Sequence, residues 1–312
     1  MTYTALNQRE ETRPGEVDGG PAAARIRLGT RLRRLRGEAD RSREEAGTAI
    51  RSSASKIARV ELGRTAIKTT DLTDLLAFYG ASDEAERESL LELSRHGSVP
   101  DWWRQYGDAV PAWTRPYLGL EQAATLIRGY DAHLIPDLLQ TPDYARAVIG
   151  LPSGPAGERT ARRASRADRA DWAERRLAVR LRRQEVLHRA EPPRLWAVID
   201  EAALRRPVGG PGVMRAQLEH LTELAELRHV NIQILPFRAG GHALRGGSVI
   251  LLRFAQEQQL RDVVYLEQLT SASYPSGPSE VASYESMLDH LAAEADPPIA
   301  STMMLNQLRW GL

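Results

Sequence analysis

The chain has 312 residues, more than one small helical domain needs and enough for two. Its 42% hydrophobic and 27% charged residues are those of a soluble globular protein, and its formal net charge is only +1. No apolar run approaches the ~20 residues that span a bilayer; cysteine is absent, which excludes disulfide frameworks, cysteine-bound zinc, iron–sulfur clusters and thiol catalysis.

In chain order, Met1–Gly20 lacks the apolar core of a signal peptide and reads as a polar arm, placed at 1–24. A cytoplasmic protein without a membrane partner is expected. The stretch Arg25–Arg64 then holds twelve Arg/Lys against five Asp/Glu. Such local positive charge marks a polyanion partner. Leu28, Leu32, Leu35 and Ala39 form one apolar stripe on a first helix. Ser42-Arg43-Glu44-Glu45 fits a capping box that opens a second helix, with Ala46, Ala49 and Ile50 inward. Ser53 is an N-cap for a third helix that ends at Gly63, with Ile57 and Val60 inward and Ser55, Lys56 and Arg59 outward. A fourth helix spans about Thr70–Tyr79, and a fifth opens at Ser82 and buries Leu90, Leu91 and Leu93. Residues 25–96 thus form an all-α unit.

Residues 28–96 resemble the Cro/repressor-like helix-turn-helix domain of XRE-type regulators. The resemblance rests on Ser42-Arg43-Glu44-Glu45, on the run Ser55-Lys56-Ile57-Ala58-Arg59-Val60-Glu61-Leu62-Gly63-Arg64, and on Leu75-Leu76-Ala77-Phe78-Tyr79-Gly80. It implies double-stranded DNA as partner, with the third helix in the major groove. Ser53, Ser55, Lys56 and Arg59 would then face base edges or nearby phosphates, Arg43 would contact the backbone, and Arg51 and Arg64 would join the DNA-binding set. The chain departs from the family in having Ala46-Gly47 for the usual Leu-Ala, and Arg51-Ser52 for Gly and a β-branched apolar residue. A non-glycine residue at positive φ costs roughly 1 kcal/mol, and a lost core leucine roughly 2–5 kcal/mol where the site cannot collapse. The alternatives are a solvated basic face and a helix-turn-helix kept mainly for protein contacts.

Residues 97–117 form a connector with five aromatics, Trp102, Trp103, Tyr106, Trp113 and Tyr117, read as glue between domains or subunits rather than a platform that stacks a nucleobase or a ligand ring. From 118 to 295 the pattern turns to mixed helix and strand: strand-like residues in Leu126–Ile135, a short helix at Tyr144–Ile149, and a long arginine-rich helix or helix pair across Glu158–Arg189. A strand at Leu195–Ile199, an amphipathic helix at Val213–Leu227 and strands at Val230–Leu235, Ser248–Phe254 and Asp262–Glu267 follow, then a helix at Pro278–Ala293. The expected class is multi-domain: an all-α helix-turn-helix domain followed by a larger mixed α+β domain, with a tail at 296–312.

This second region resembles the uncharacterised domain that follows the helix-turn-helix in actinomycete WhiJ-like regulators. Trp102-Trp103 with Tyr106-Gly107-Asp108 carries the likeness, as do Leu134-Ile135-Pro136-Asp137-Leu138-Leu139-Gln140-Thr141-Pro142-Asp143-Tyr144-Ala145, Asp200–Gly210 and Val230–Phe237. Asp137 stands where the family usually has glycine. The resemblance implies a developmental or antibiotic-related transcriptional regulator, often with a small protein partner; it supplies no ligand.

Nothing in the sequence announces catalysis or a cofactor. The histidines at 96, 133, 188, 220, 229, 242 and 290 show no metal-ligand spacing, and nucleophile-elbow, P-loop and dinucleotide-binding motifs are lacking. The loop Gly240–Gly247, with His242 and Arg245, is a candidate mobile site for a small-molecule effector, against the plainer reading of a strand connection. Asp200-Glu201 reads as a cap or packing pair. The arginines of Glu158–Arg189 alternate with acids as on a salt-bridged helix, a second DNA surface being the alternative. A homodimer is expected, because one reading helix covers only a few base pairs.

Overall fold

The computed structural model describes residues 20–151, 165–242, 244, 247–256 and 260–312. It divides the chain into two compact units, Met1–Pro100 and Asp101–Leu312. Most of the arm expected at 1–24 therefore lies outside the described residues. Its last five residues belong instead to the first helix, which starts at Gly20 because Ala22, Ala23 and Ala24 are small enough to be buried.

The first unit is five helices: α1 (Gly20–Glu38), α2 (Arg43–Ala49), α3 (Ala54–Glu61), α4 (Thr69–Phe78) and α5 (Glu84–Gly97). Leu28, Leu32 and Leu35 of α1 meet Ala46, Ile50, Ile57, Val60, Leu72, Leu75, Leu76, Leu90 and Leu93 in one core. The caps work as their residue types dictate. Ser42 and Glu45 close a reciprocal capping box on α2, and the Ser53 hydroxyl accepts from the Lys56 amide at the start of α3. Gly63, at φ +66°, ends α3, and Gly80, at φ +71°, follows α4. The fifth helix is capped by Asp83, one residue beyond the expected Ser82, because the Asp83 carboxylate accepts from the Ala85 amide.

The second unit opens with a 3₁₀ segment, Trp102–Ala109, and α6 (Arg115–Ala123), which runs into strand β1 (Leu126–Asp131). Then come α7 (Pro142–Ile149), α8 (Arg166–Gln184), β2 (Arg194–Asp200), the short α9 (Glu201–Arg205), α10 (Pro211–Leu224) and β3 (Val230–Leu235). Strands β4 (Val249–Arg253), β5 (Val263–Glu267) and β6 (Ala272–Ser273) precede α11 (Pro278–Glu294) and α12 (Pro298–Trp310). The sheet order is β3-β2-β1-β4-β5-β6. Strands β1, β2 and β3 are parallel, joined by helical crossovers; β4 pairs antiparallel with β1, and β5 with β4. One face packs Tyr130, Val198, Val249, Leu251 and Val264 against Val281, Leu288 and Leu291 of α11.

Residues 101–117 of the connector and the tail belong to this unit, whereas 97–100 belong to the first. Trp103 and Tyr117 are buried, and the Tyr117 ring stacks on Tyr265 at 4.2 Å between centroids, a contact inside this unit. The segment after 295 is a helix: Ser301 Oγ accepts from the Ile234 amide, and Leu305 is buried. The described part of the arginine-rich stretch is less of a solvent-facing helix than its alternation suggests. Arg180 and Arg183 turn inward, where Arg183 holds Glu121 through two 2.8 Å bonds and Asp137 through a third. Burial alone would push the Asp137 carboxyl up, but the charges of Arg180 and Arg183 outweigh it and hold it below its ordinary value. The Asp137 departure from glycine thus serves as an anchor for α8. No helix among the described residues is long and apolar enough to cross a membrane.

Candidate nucleic-acid interface

The local sequence fixes the geometry of the α2–α3 pair. Helix α2 is too short to be stable alone, so its capping box and its buried Ala46 must hold it. At Gly47 the turn that follows passes so close that a Cβ would meet the Ser52 carbonyl oxygen at 2.9 Å. The Ala46-Gly47 departure is therefore accommodated as a close approach of helix to turn. Arg51 takes the left-handed position of that turn at φ +52°, as expected from its place in the family pattern.

Helix α3 then presents Ser55, Arg59 and Leu62 outward at spacings of four and three, while Ile57 and Val60 are buried. Arg51, Ser53, Ser55, Arg59 and Arg64 are all exposed. Arg51, Arg59 and Arg64 have no ion-pair partner among the described residues, so their charge is available to an anionic partner. The Ser53 hydroxyl is committed to its cap.

Two expected contact residues are engaged within the unit. Arg43 Nε lies 2.9 Å from Glu61 Oε2. Arg36 Nε lies 2.5 Å from Glu61 Oε1, so one carboxylate ties α1, α2 and α3 together. The Glu61 side chain is 1% exposed. Burial would raise its pKa, but the hydrogen bonds and charges of Arg36 and Arg43 outweigh that and leave it below the ordinary value. Lys56 Nζ lies 2.8 Å from Asp71 Oδ2 in the first turn of α4. Arg43 is thus a structural partner with part of its surface open, and Lys56 reaches a duplex only by sharing or exchanging Asp71.

Sequence reasoning missed Glu61, Asp71 and the exposed Lys68 beside the start of α4. For Glu61 a signal existed: a lone acid on the inward side of a basic helix must find a cation. Asp71 gave none, because the pairing crosses from one helix to another.

In the second unit, Asp200 caps α9 by accepting from the Ala202 amide at 2.8 Å, and Glu201 accepts from the Phe237 amide and pairs with Arg205. Both serve the capping and packing role expected. His242 lies 3.0 Å from the Tyr130 hydroxyl; Arg245 falls outside the described residues. Among the described residues no group of three or more His, Asp or Glu could hold a metal ion.

Residues 27–90 match the family model of a helix-turn-helix domain. Residues 114–307 match that of a domain of unknown function, DUF5753. Neither a curated protein nor a solved structure matches the chain. A helix-turn-helix domain suggests a DNA-binding regulator.

Proposed function

Since the chain belongs to the DUF5753 family and carries a helix-turn-helix domain ahead of that region, we propose that it is a transcriptional regulator that reads double-stranded DNA with α3 in the major groove. The observation that carries this reading is the exposed edge of α3 and its flanking turns, where Arg51, Arg59 and Arg64 point outward without ion-pair partners among the described residues. In this reading phosphate contacts supply most of the affinity and base-edge bonds from Ser55, Lys56 and Arg59 most of the discrimination. The reading extends to a cytoplasmic homodimer that controls development or secondary metabolism with a small protein partner, motivated by the resemblance to WhiJ-like regulators.

Genome-wide footprinting of the intact protein and of a Lys56→Ala/Arg59→Ala variant tests it. The variant is expected to lose its sites and to lower the salt slope of binding by up to about two, one per lost cation. Unchanged footprints and slope would remove the basis of the proposal. A second reading, a protein-interaction module with secondary DNA binding, is favoured by the engagement of Arg43 and Lys56 with Glu61 and Asp71. It predicts that the same variant loses capture of a protein partner while DNA binding stays as it was.

A further inference from the structure

Helix α3 carries Ser55, Arg59 and Leu62 on its outward edge. Lys56 sits beside that edge, one residue past Ser55 and four before the buried Val60. Its ammonium reaches across to α4, where Nζ lies 2.8 Å from Asp71 Oδ2 in the first turn of that helix. The two side chains are 29% and 21% exposed, so water screens the pair only in part and does not seal it from a partner.

The chemistry of the two groups decides what remains free. An ammonium has three N–H donors, and one of them goes to Asp71. The others have no acceptor among the described residues. An arginine would be consumed instead, because its planar fork meets a carboxylate through two bonds at once, as Arg36 meets Glu61. Of the 42 Arg and Lys residues only Lys56 and Lys68 are lysines, and Lys56 makes the one lysine ion pair among the described residues. A lysine tethered by a single bond keeps donors to spare, and the tether limits where they point. Arg51, Arg59 and Arg64 have no such tether among the described residues.

Asp71 also cancels much of the Lys56 charge as felt from a distance. Sequence-independent attraction to a duplex grows with the number of cations that neutralise phosphates, and a paired cation adds little to it. At contact distance the spare donors still serve an acceptor on a base edge. We propose, on the basis of the DNA-binding reading above, that Asp71 is a specificity-determining positioning residue. It acts through Lys56, aiming the ammonium at a base edge and withholding its charge from nonspecific phosphate contacts.

The test measures binding of the full chain to two duplexes of equal length over a range of salt concentrations. One carries the strongest site recovered by footprinting the intact protein, and the other has random sequence. Asp71→Asn keeps the side-chain size and releases the lysine. It should tighten binding to the random duplex and raise its salt slope by about one. It should also lower the preference for the site by about fivefold or more, the worth of one positioned charge-assisted hydrogen bond. In a Lys56→Ala background the same substitution should change neither slope nor preference, because nothing is left for the carboxylate to hold. Thermal unfolding checks that the variants fold, and Asp71→Ser is the second variant should the asparagine not be tolerated. A slope and preference unaltered by Asp71→Asn overturn the inference while DNA binding itself stands. Equal tightening on both duplexes, or an undiminished effect in the Lys56→Ala background, overturns it as well, since the carboxylate would then merely repel phosphate. A natural protein that leaves no footprint and binds neither duplex removes the DNA-binding reading, and the role of Asp71 falls with it.

Discussion

Glu61 receives Arg36 and Arg43 from two different helices while lying almost wholly out of solvent. Glu61→Gln keeps the shape and removes the charge, which leaves Arg36 facing a neutral amide. A loss of about 3 kcal/mol is expected in urea unfolding, as for a buried pair deprived of one partner. The Glu61 pKa is depressed in the fold, so its contribution is present above the ordinary glutamate range and is lost as the pH falls through the folded value. The variant should accordingly show a flatter acid limb. Asp131 has the opposite sign. Burial pushes its carboxyl up to about 7, with the Ser248 hydrogen bond pulling down and the Asp137 charge pushing up. Around it stand Tyr130 and Tyr144, with Asp137 itself held by Arg180 and Arg183. The fold therefore binds a proton that the unfolded chain has released, and stability falls as the pH rises from about 4 to about 7. Asp131→Asn is expected to match the natural protein near pH 4 and to exceed it at pH 8 by an amount on the order of 2–4 kcal/mol. Equal stabilities at both pH values would show that this carboxyl is not so buried in solution.

At the scale of elements, the α2–α3 turn places an arginine where glycine is easiest. Arg51→Gly should stabilise the protein by about 1 kcal/mol, since the left-handed strain is relieved. The same substitution removes an exposed cation from the proposed DNA edge, so nonspecific duplex binding should lose about one unit of salt slope. A stability gain without any change in slope would place Arg51 away from phosphate. Helix α8 illustrates another compromise. Its composition looks like that of a solvated helix, yet Arg183 points to the buried Glu121 and both Arg180 and Arg183 to the half-buried Asp137. Those arginines are committed to the fold and leave little charge for nucleic acid.

For the whole molecule, one reading helix contacts only a few base pairs, so the proposed regulator needs two half-sites about 34 Å apart. Sedimentation at micromolar concentration should show a dimer, and footprints should come in pairs at that spacing; a monomer with single half-site footprints would count against it. The first unit was legible in the sequence because its signals are local. Serine caps, glycine stops and a stripe of leucines at helical spacing act within one or two turns, and they placed Ser55 and Arg59 outward and Ile57 and Val60 inward. The strands of the second unit were legible as β-branched apolar runs between breakers, but their order was not. The sequence by itself determined the two-unit plan, the helix-turn-helix and the charge on its face. Only the tertiary structure decided that Lys56 and Arg43 meet Asp71 and Glu61, and that Tyr130, Asp200 and His242 share one edge. Those meetings join residues 15 to 112 positions apart. Contacts at such separations depend on how whole elements pack, and no local periodicity encodes them.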